Sequence, residues 1–261
     1  MDYRYQTISK AWPGKFLTSQ ADNLSLAVRD PIGLATNFVI AEASIQNRSG
    51  STVVAGIGGR YPIALWKAGQ WVNATTTYTD DTTDAQSAAA NDVALTTLTV
   101  NNGIIILCQV PFNIVSVVVG TAATGDAVYD LAYSKAGGTW TTLTNPYVAP
   151  SFAATGEQLI WFEEPTDWAV TEAGHATGIT TGYYGIRVRA TTAPTVTAAL
   201  GDLMTVGKMF FSTESVTDNI ILGIDNNIGE LYLPPQCDAI CAAISAANVQ
   251  NRVTLKYRMA G

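Results

Sequence analysis

The feature of the sequence that most constrains its fold is the recurrence of short β-branched stretches between turn-forming residues. Isoleucine and valine dominate residues 104–107 and 117–119, and apolar and basic residues alternate over 186–189. Turn signals such as Asn101-Asn102-Gly103 and Ala136-Gly137-Gly138 recur about every ten residues. Short strands at this spacing, with few helical patterns, predict a mainly β protein built around a β-sandwich or jelly roll.

The length of the chain bounds its domain organisation. Its 261 residues can hold one large β domain or two smaller ones. We predict a central β-sandwich over residues 65–207, where the strand signals are most regular. The flanks 36–64 and 208–261 are each too short for a stable core, so we expect them to combine into a second β-rich unit. Residues 1–35, rich in aromatic side chains at their start, are predicted to form an extended N-terminal arm.

Two segments carry helical patterns within this β-rich background. Residues 84–90 begin with Asp84, an N-cap-type residue, and continue with alanines, so they predict a helix of about two turns. Residues 234–247 begin with proline and carry two isoleucines four residues apart, which predicts one short C-terminal helix. A last strand is predicted over 252–257, where apolar and polar residues alternate.

The cysteine count argues against a disulfide framework, since the chain has only Cys108, Cys237 and Cys241. Cys237 and Cys241 are four residues apart on the predicted C-terminal helix and would therefore share a face. A zinc site would need a second pair of ligands beside them. We interpret these thiols as small apolar side chains, and the sequence leaves open whether Cys237 and Cys241 face the core or a subunit contact.

Composition restricts the class of partner. Charged residues make up 13% of the chain, and 14 Lys and Arg against 21 Asp and Glu give a net charge of -7. A nucleic-acid-binding protein needs a basic face, so we expect no nucleic-acid partner. The sequence carries no long uninterrupted apolar run and no signal-peptide pattern at its start, so we expect neither a membrane partner nor classical secretion. A chain with 33 Thr and 36 Ala but little charge suits contacts within a lattice.

The side chains that usually carry catalysis are scarce. His175 is the single histidine, and because loop-forming residues surround it, we predict that it lies exposed in a surface loop. No Gly-x-Ser-x-Gly elbow is present, and one histidine cannot build a multi-histidine metal site. We therefore predict a non-enzymatic protein with no catalytic residues, no metal ligands and no cofactor.

Three carboxylates, Glu163, Glu164 and Asp167, are concentrated around Pro165. The preferred interpretation is a solvated turn after a strand at 159–162, which the proline ends. Two functional alternatives stay open. One is a calcium site built from these oxygens, and the other is a glycosidase pair that would act across a cleft.

Two stretches of the sequence form a recognisable pattern together with the acidic turn at residues 79–85. They are Trp161-Phe162-Glu163-Glu164-Pro165-Thr166-Asp167-Trp168 and Gly182-Tyr183-Tyr184-Gly185-Ile186-Arg187-Val188-Arg189-Ala190-Thr191-Thr192-Ala193-Pro194. With them, residues 79–207, about half of the chain, resemble a β-sandwich module found in structural proteins of tailed bacteriophages. In such modules a turn containing tryptophan precedes a Tyr-Tyr-x-Ile-Arg-Val-Arg strand. The resemblance implies a virion protein without fixing its place in the particle.

Together with the low charge and the arm, the resemblance favours a structural role. We expect a capsid decoration or cement protein on the exterior of the head, where it would stabilise the lattice. Its partners would be the major capsid protein or other virion proteins, and further copies of the chain itself, with a trimer favoured. The alternative is a glycan-binding module on a tail or a fibre, because sandwiches with exposed aromatic loops commonly bind sugars.

The expected contact residues are aromatic or basic. Aromatic side chains dominate interface energetics, so those of the arm are candidate anchors. In the strand at 184–189, alternation places Arg187 and Arg189 on the polar outer side, where Glu163 or Glu164 of the same chain or of a neighbour could pair with them. The candidate interface residues are Tyr3, Tyr5, Trp12, Phe16, Arg187 and Arg189.

Overall fold

The computed structural model describes residues 6–11, 15–18, 37–87, 93–215, 219–222, 231–232, 236–246 and 251–260. The chain divides into two compact units. We name Ile63–Val206 the central unit, and Met1–Pro62 together with Gly207–Gly261 the terminal unit.

The protein is mainly β, as predicted, and its sheets are built from antiparallel strand pairings. The strands are β1 (Gln6–Ala11), β2 (Phe16–Thr18), β3 (Asn37–Gln46), β4 (Val53–Arg60), β5 (Trp66–Val72), β6 (Thr77–Asp80), β7 (Val93–Ala94), β8 (Gly103–Cys108), β9 (Ile114–Thr121), β10 (Val128–Lys135), β11 (Thr139–Thr142), β12 (Gly156–Trp161), β13 (Tyr184–Thr192), β14 (Leu200–Ser215), β15 (Asn219–Leu222), β16 (Leu231–Tyr232), β17 (Ala239–Ile244) and β18 (Arg252–Ala260). The helical elements there are a 3-10 turn at Ile63–Leu65 and α1 (Thr82–Ala85). None of the helices in the described part of the chain has the length and apolar character that crossing a bilayer requires.

The larger sheet of the central unit has six strands in the order β11-β10-β13-β8-β5-β6. Ile106 of β8 is paired with Ile186 of β13 on one side and with Ala68 of β5 on the other. All six residues of β8 are buried, so both faces of the sheet are covered at this strand. Burial on both faces accounts for the unbroken apolar sequence of β8, because such a strand has no solvent side that needs polar residues.

A second layer makes the central unit sandwich-like. In that layer β9 lies between β12 and β14, and the β12–β9 pairing runs from Gly156↔Val119 to Trp161↔Ile114. The strands predicted around 104–107, 117–119 and 186–189 are confirmed as parts of β8, β9 and β13.

Aromatic side chains fill one end of this unit. The ring of Phe112 lies 5.9 Å from that of Phe162 and 5.2 Å from that of Trp168. Trp168 in turn contacts Tyr184 of β13, with 5.5 Å between the ring centroids and a T-shaped arrangement. Edge-to-face contacts of this kind add to the free energy gained by burying the rings. The Trp-containing turn that precedes β13 is therefore a packing element of the core.

The terminal unit is built on long antiparallel pairings. β3 pairs with β18, with Ile45 opposite Val253, and β1 adds to the far side of β18. A second group places β17 between β4 and β2, and β14 pairs with β4 from Gly207 onward. The strand predicted over 252–257 is confirmed as part of β18. Residues 6–11 and 16–18, which fall within the predicted arm, are edge strands of this unit.

The predicted C-terminal helix is wrong. Ala239–Ile244 form strand β17, and all six residues are buried. The register sets Cys241 opposite Gly58 and Ala243 opposite Gly56, so small side chains lie beside a glycine-rich strand. Burial inside a sheet overrides the helix propensity of alanine, which amounts to less than about 1 kcal/mol per residue.

The two cysteines of this region follow the same correction. Cys237 precedes β17 and Cys241 lies within it, so they do not share a helical face. Cys237 is 1% exposed and Cys241 0% exposed in the single chain, and neither forms a disulfide bond. Their burial without any partner chain places them in the core of the terminal unit.

The other predicted helix is present, but it is shorter and begins earlier. α1 covers Thr82–Ala85 with Asp81 at its N-cap position, and no side chain caps it. Asp84, predicted as the cap, lies in the first turn, where a carboxylate interacts favourably with the helix dipole. Residues 88–90 of the predicted segment lie outside the described residues.

Candidate interaction surfaces

A long loop covers the outer face of the six-stranded sheet. Residues 171–183, here called the cover loop, are closed by hydrogen bonds from the Thr171 amide to the Tyr183 carbonyl (2.6 Å) and from the Gly182 amide to the Thr171 carbonyl (2.9 Å). Ala176 and Ile179 of this loop are buried in one cluster with Trp71, Tyr78, Ile105 and Leu107 of the sheet. Side chains that alternation would direct to solvent are therefore enclosed beneath the cover loop.

Arg187 lies inside this enclosed layer. Its guanidinium carbon is 5.2 Å from the ring centroid of Trp71 and 5.1 Å from that of Trp140, so the cation is stacked between two indoles. Gly185 makes room for this arrangement, since a Cβ there would lie 3.1 Å from the Trp140 ring. Cation–π attraction is strongest where water is excluded.

Burial changes the ionisation of Arg187. The side chain is 9% exposed and its Nε has no hydrogen-bond partner. Burial, and after it the like charge of Arg189, lowers the pKa of Arg187 to about 10. The predicted position of Arg187 on an exposed outer side is therefore wrong, because the cover loop and two tryptophans enclose it.

Arg189 forms an ion pair that the sequence did not indicate. Its Nη2 lies 2.7 Å from Oδ2 of Asp130, and its Nε donates to the same carboxylate. Asp130 and Arg189 are directly opposite on β10 and β13. The hydrogen bond to Asp130 raises the pKa of Arg189. The predicted pairing of this arginine with Glu163 or Glu164 is replaced by a pairing across neighbouring strands.

His175 is buried, so its predicted exposure in a surface loop is wrong. The residue is 1% exposed, and its Nδ1 accepts a hydrogen bond from the Glu172 amide at 2.9 Å. Trp140 packs edge-on against the imidazole at 5.1 Å and donates its indole N–H to the His175 carbonyl. His175 is thus one member of the stack that continues through Trp140 and Arg187 to Trp71.

Every basic side chain of the central unit is engaged. The unit holds 12 Asp and Glu but only 4 Lys and Arg, a net charge of -8. Besides the two arginines, Lys67 pairs with Asp80 at 3.1 Å and Lys135 with Asp167 at 2.6 Å. No lysine or arginine of this unit is left to balance its other carboxylates, so its surface is acidic.

One end of the central unit has almost no charge. We call it the loop end and define it as residues 73–76, 95–102, 121–128 and 191–199. Of these 29 residues, 11 are threonine and Asp126 is the only charged one, whereas the average of the chain, 13%, would give about four.

Backbone hydrogen bonds join these loops into one surface. The Thr195 amide donates to the Thr124 carbonyl and the Thr124 amide to the Thr197 carbonyl, both at 3.1 Å. The Ala199 amide donates to Oγ1 of Thr96 at 2.8 Å, and the Asn73 amide to Oδ1 of Asn102 at 2.9 Å. The loop end therefore has a fixed shape set by contacts between segments distant in sequence.

Large aliphatic side chains project from the loop end. Leu98 is 55% exposed, Val100 48%, Val128 54% and Val196 74%. The described residues include only three other exposed large hydrophobic side chains, Ile63, Tyr147 and Val170, and none of them belongs to the loop end. Sequence reasoning missed these exposed side chains, although the charge-free runs 95–102 and 191–199 could have indicated them.

A second feature is an open groove of about 450 Å³. Its lining is mostly polar and consists of Tyr133, Thr142, Leu143, Thr144, Asn145, Glu163, Glu164, Pro165 and Thr166. Glu163 and Glu164 thus lie together, whereas Asp167 is bound by Lys135 and accepts a hydrogen bond from the Tyr133 hydroxyl at 2.7 Å. Among the described residues no three His, Cys, Asp or Glu side chains are grouped as metal ligands.

The aromatic candidates of the arm lie largely outside the described residues. Tyr3, Tyr5 and Trp12 fall outside them, and Phe16 is described only as the first residue of β2.

Comparisons with protein-family models, with curated proteins and with solved structures give no match.

Proposed function

We propose that this protein is a non-enzymatic structural component of a tailed-bacteriophage virion, a decoration protein that binds the capsid exterior and stabilises its lattice. The observation that carries the proposal is the loop end, where exposed aliphatic side chains stand on an almost uncharged surface of fixed shape. The resemblance of residues 79–207 to modules of virion structural proteins is the reason for proposing that the assembly is a bacteriophage virion.

The physical chemistry of the loop end suits stable assembly. The buried centres of protein interfaces are depleted of charged residues, as this surface is. Burying a fully exposed Val or Leu contributes roughly 1.5–3 kcal/mol, and each of the four side chains that project here, which are 48–74% exposed, would contribute a part of that amount. Since hydrogen bonds between the loops fix the surface before it binds, little conformational entropy is lost on docking.

Binding to capsid shells assembled without this protein tests the proposal. The wild-type chain should co-sediment with the shells in a saturable manner, and Val196→Asp should weaken that binding at least tenfold, because it buries a charge. Val170→Asp, which changes an exposed valine outside the loop end, is the matched control and should bind as the wild type does. A wild-type chain that fails to bind any shell would refute the proposed function.

The arm is expected to contribute anchors to the same assembly. Tyr3, Tyr5 and Trp12 flank β1, so replacing all three with Ala leaves the residues of that strand unchanged. Shell binding by the triple variant should fall at least tenfold, because aromatic anchors dominate interface energetics. Unchanged shell binding by this variant would remove the arm from the contact.

Glycan binding is the second candidate, and the groove favours it. Its threonine, asparagine and carboxylate groups can hydrogen-bond sugar hydroxyls, and Tyr133 and Pro165 offer apolar surface. A glycan array read with and without calcium should then give a signal that Asn145→Ala and Glu163→Gln abolish and Val196→Asp leaves intact. An array without any signal, or a signal insensitive to the groove substitutions, would exclude this candidate.

A further inference from the structure

We infer that the partner of the loop end is the loop end of another copy of this chain, so that copies meet through this surface about a symmetry axis. The inference rests on the assembly role proposed above and names the partner of that surface. Copies joined through their loop ends bind the shell together, so loss of this contact also weakens shell binding. It also holds for the free protein in solution, where it can be measured without any particle.

Charge decides between a copy of the chain and a basic partner. A basic protein surface would be drawn to the carboxylates of the central unit, which has a net charge of -8 and no basic side chain left unengaged. The loop end offers such a partner only Asp126. The surface therefore fits an uncharged, apolar counterpart, and an identical loop end has those properties.

Charge also restricts where two copies can touch. Two central units, each at -8, repel wherever their carboxylates approach one another. At the loop end that repulsion is weakest, since 28 of its 29 residues are uncharged. Exposed Val128 and Val196 can pack against their own counterparts, and threonine hydroxyls, which both donate and accept, can hydrogen-bond to one another across a symmetric contact.

An apolar contact opposed by repulsion between acidic units predicts the direction in which self-association responds to salt. Added salt screens the repulsion between the acidic units but leaves the apolar contact in place. Self-association through the loop end should therefore strengthen when sodium chloride rises from about 0.02 M to about 0.3 M. A contact held by opposite charges would weaken over the same range.

The test measures the mass of the full-length chain by light scattering or analytical ultracentrifugation over a range of protein and salt concentrations. We expect a multiple of 27.6 kDa that dissociates on dilution and is favoured by salt. Because a closed symmetric contact contains each substitution at least twice, Val196→Asp should weaken association at least about 100-fold. Leu98→Asp serves as a second variant, and Val170→Asp should associate as the wild type does.

Circular dichroism serves as the control for folding of each variant. Val196 is 74% exposed, so its replacement should not disturb the core. A chain that stays monomeric at every concentration would overturn the inference. So would an oligomer that loop-end substitutions leave intact, or one that salt weakens. Shell binding by a strictly monomeric chain would leave the proposed function standing, whereas loop-end oligomers that bind no shell would refute the function alone.

Discussion

At the scale of single residues, Arg187 sets two opposing free-energy contributions against each other. Removing a guanidinium from water is costly, and the pKa of about 10 reflects that cost. Two indoles offset it, each desolvated cation–π contact contributing on the order of 1–2 kcal/mol. The balance depends on a flat, delocalised cation that can lie against both rings, a shape that arginine has and lysine lacks.

Two substitutions of Arg187 separate shape from charge. Arg187→Lys keeps a buried cation but loses the stacked plane, and we expect it to lower the free energy of unfolding by about 2 kcal/mol. Arg187→Met removes the cation and keeps an unbranched chain of similar length, so we expect a change within about 1 kcal/mol. Urea denaturation followed by tryptophan fluorescence measures both. A methionine variant less stable than the lysine variant would contradict this account.

The cysteines make a second prediction at this scale. Burial raises the pKa of the Cys108 thiol to about 12 and that of Cys241 well above its ordinary value, so hardly any thiolate forms near neutral pH. Cys237 is 1% exposed. A thiol reagent at about pH 8 should therefore label none of the 3 cysteines of the folded chain and all of them in denaturant. Rapid labelling of the native protein would disprove their core placement.

His175 and Arg187 illustrate what the residue pattern left undetermined. Polar alternation correctly placed Arg187 and Arg189 on one side of β13, opposite to buried Ile186 and Val188. Whether that side meets water depends on the cover loop, whose fold rests on hydrogen bonds such as that from the Tyr78 amide to the Thr177 carbonyl. Such long-range contacts have no local signature in the sequence. The residue pattern therefore predicted on which side of β13 the arginines lie, but not that this side is covered.

At the scale of elements, β8 and β17 differ in whether the intrinsic preference of their residues agrees with their burial in a sheet. The isoleucines of β8 are β-branched, and both their intrinsic preference and their burial favour a strand. Residues 239–244 contain three alanines and no turn signal, and their intrinsic preference favours a helix. Only their position between β4 and β2 makes them a strand, and that position is set by chain segments far away in sequence. Predictions from local pattern hold where propensity and burial agree.

Close approach between strands gives a prediction for one glycine. Gly69 of β5 lies against β6, where an added Cβ would overlap the carbonyl oxygen of Thr79 and the ring of Tyr78. Because a backbone atom cannot move aside cheaply, we expect Gly69→Ala to destabilise the protein by at least about 3 kcal/mol. The control is Gly137→Ala in the β10–β11 turn, where φ is +83° and the space is open, with an expected loss of about 1 kcal/mol. Thermal and urea unfolding compare the two, and equal losses would show that the overlap is relieved.

The ion pair between Lys67 and Asp80 makes the stability of the same sheet depend on pH. Burial opposes ionisation of Asp80, but hydrogen bonds from Thr82 and Lys67 prevail and lower the pKa of this carboxyl. The pair therefore contributes its full stability above the ordinary pKa of 3.8 and loses it as the pH falls through the lowered folded value. Between about pH 5 and pH 2, the wild type should lose more unfolding free energy than Asp80→Asn, whose amide does not titrate. Parallel pH profiles of the two proteins would count against this contribution.

At the scale of the whole molecule, charge is distributed unequally between the two units. The central unit has a net charge of -8, and since the chain totals -7, the terminal unit has +1. Within a compact unit, carboxylates without neighbouring cations repel one another and lower its stability. The acidity that restricts self-association to the loop end therefore also lowers the stability of the folded central unit.

The destabilisation by charge repulsion can be measured by adding salt and by neutralising carboxylates. Because counterions screen repulsion between exposed carboxylates, the melting temperature of the central unit should rise when sodium chloride is increased from about 0.02 M to about 0.3 M. Replacing two exposed carboxylates, Asp126→Asn and Glu163→Gln, should raise the melting temperature at low salt and reduce its salt dependence. The charge-preserving pair Asp126→Glu and Glu163→Asp controls for side-chain shape and should behave as the wild type does. If the neutralised variant kept the full salt dependence, the effect of salt would have to arise from apolar burial, and repulsion would not limit the stability of this unit.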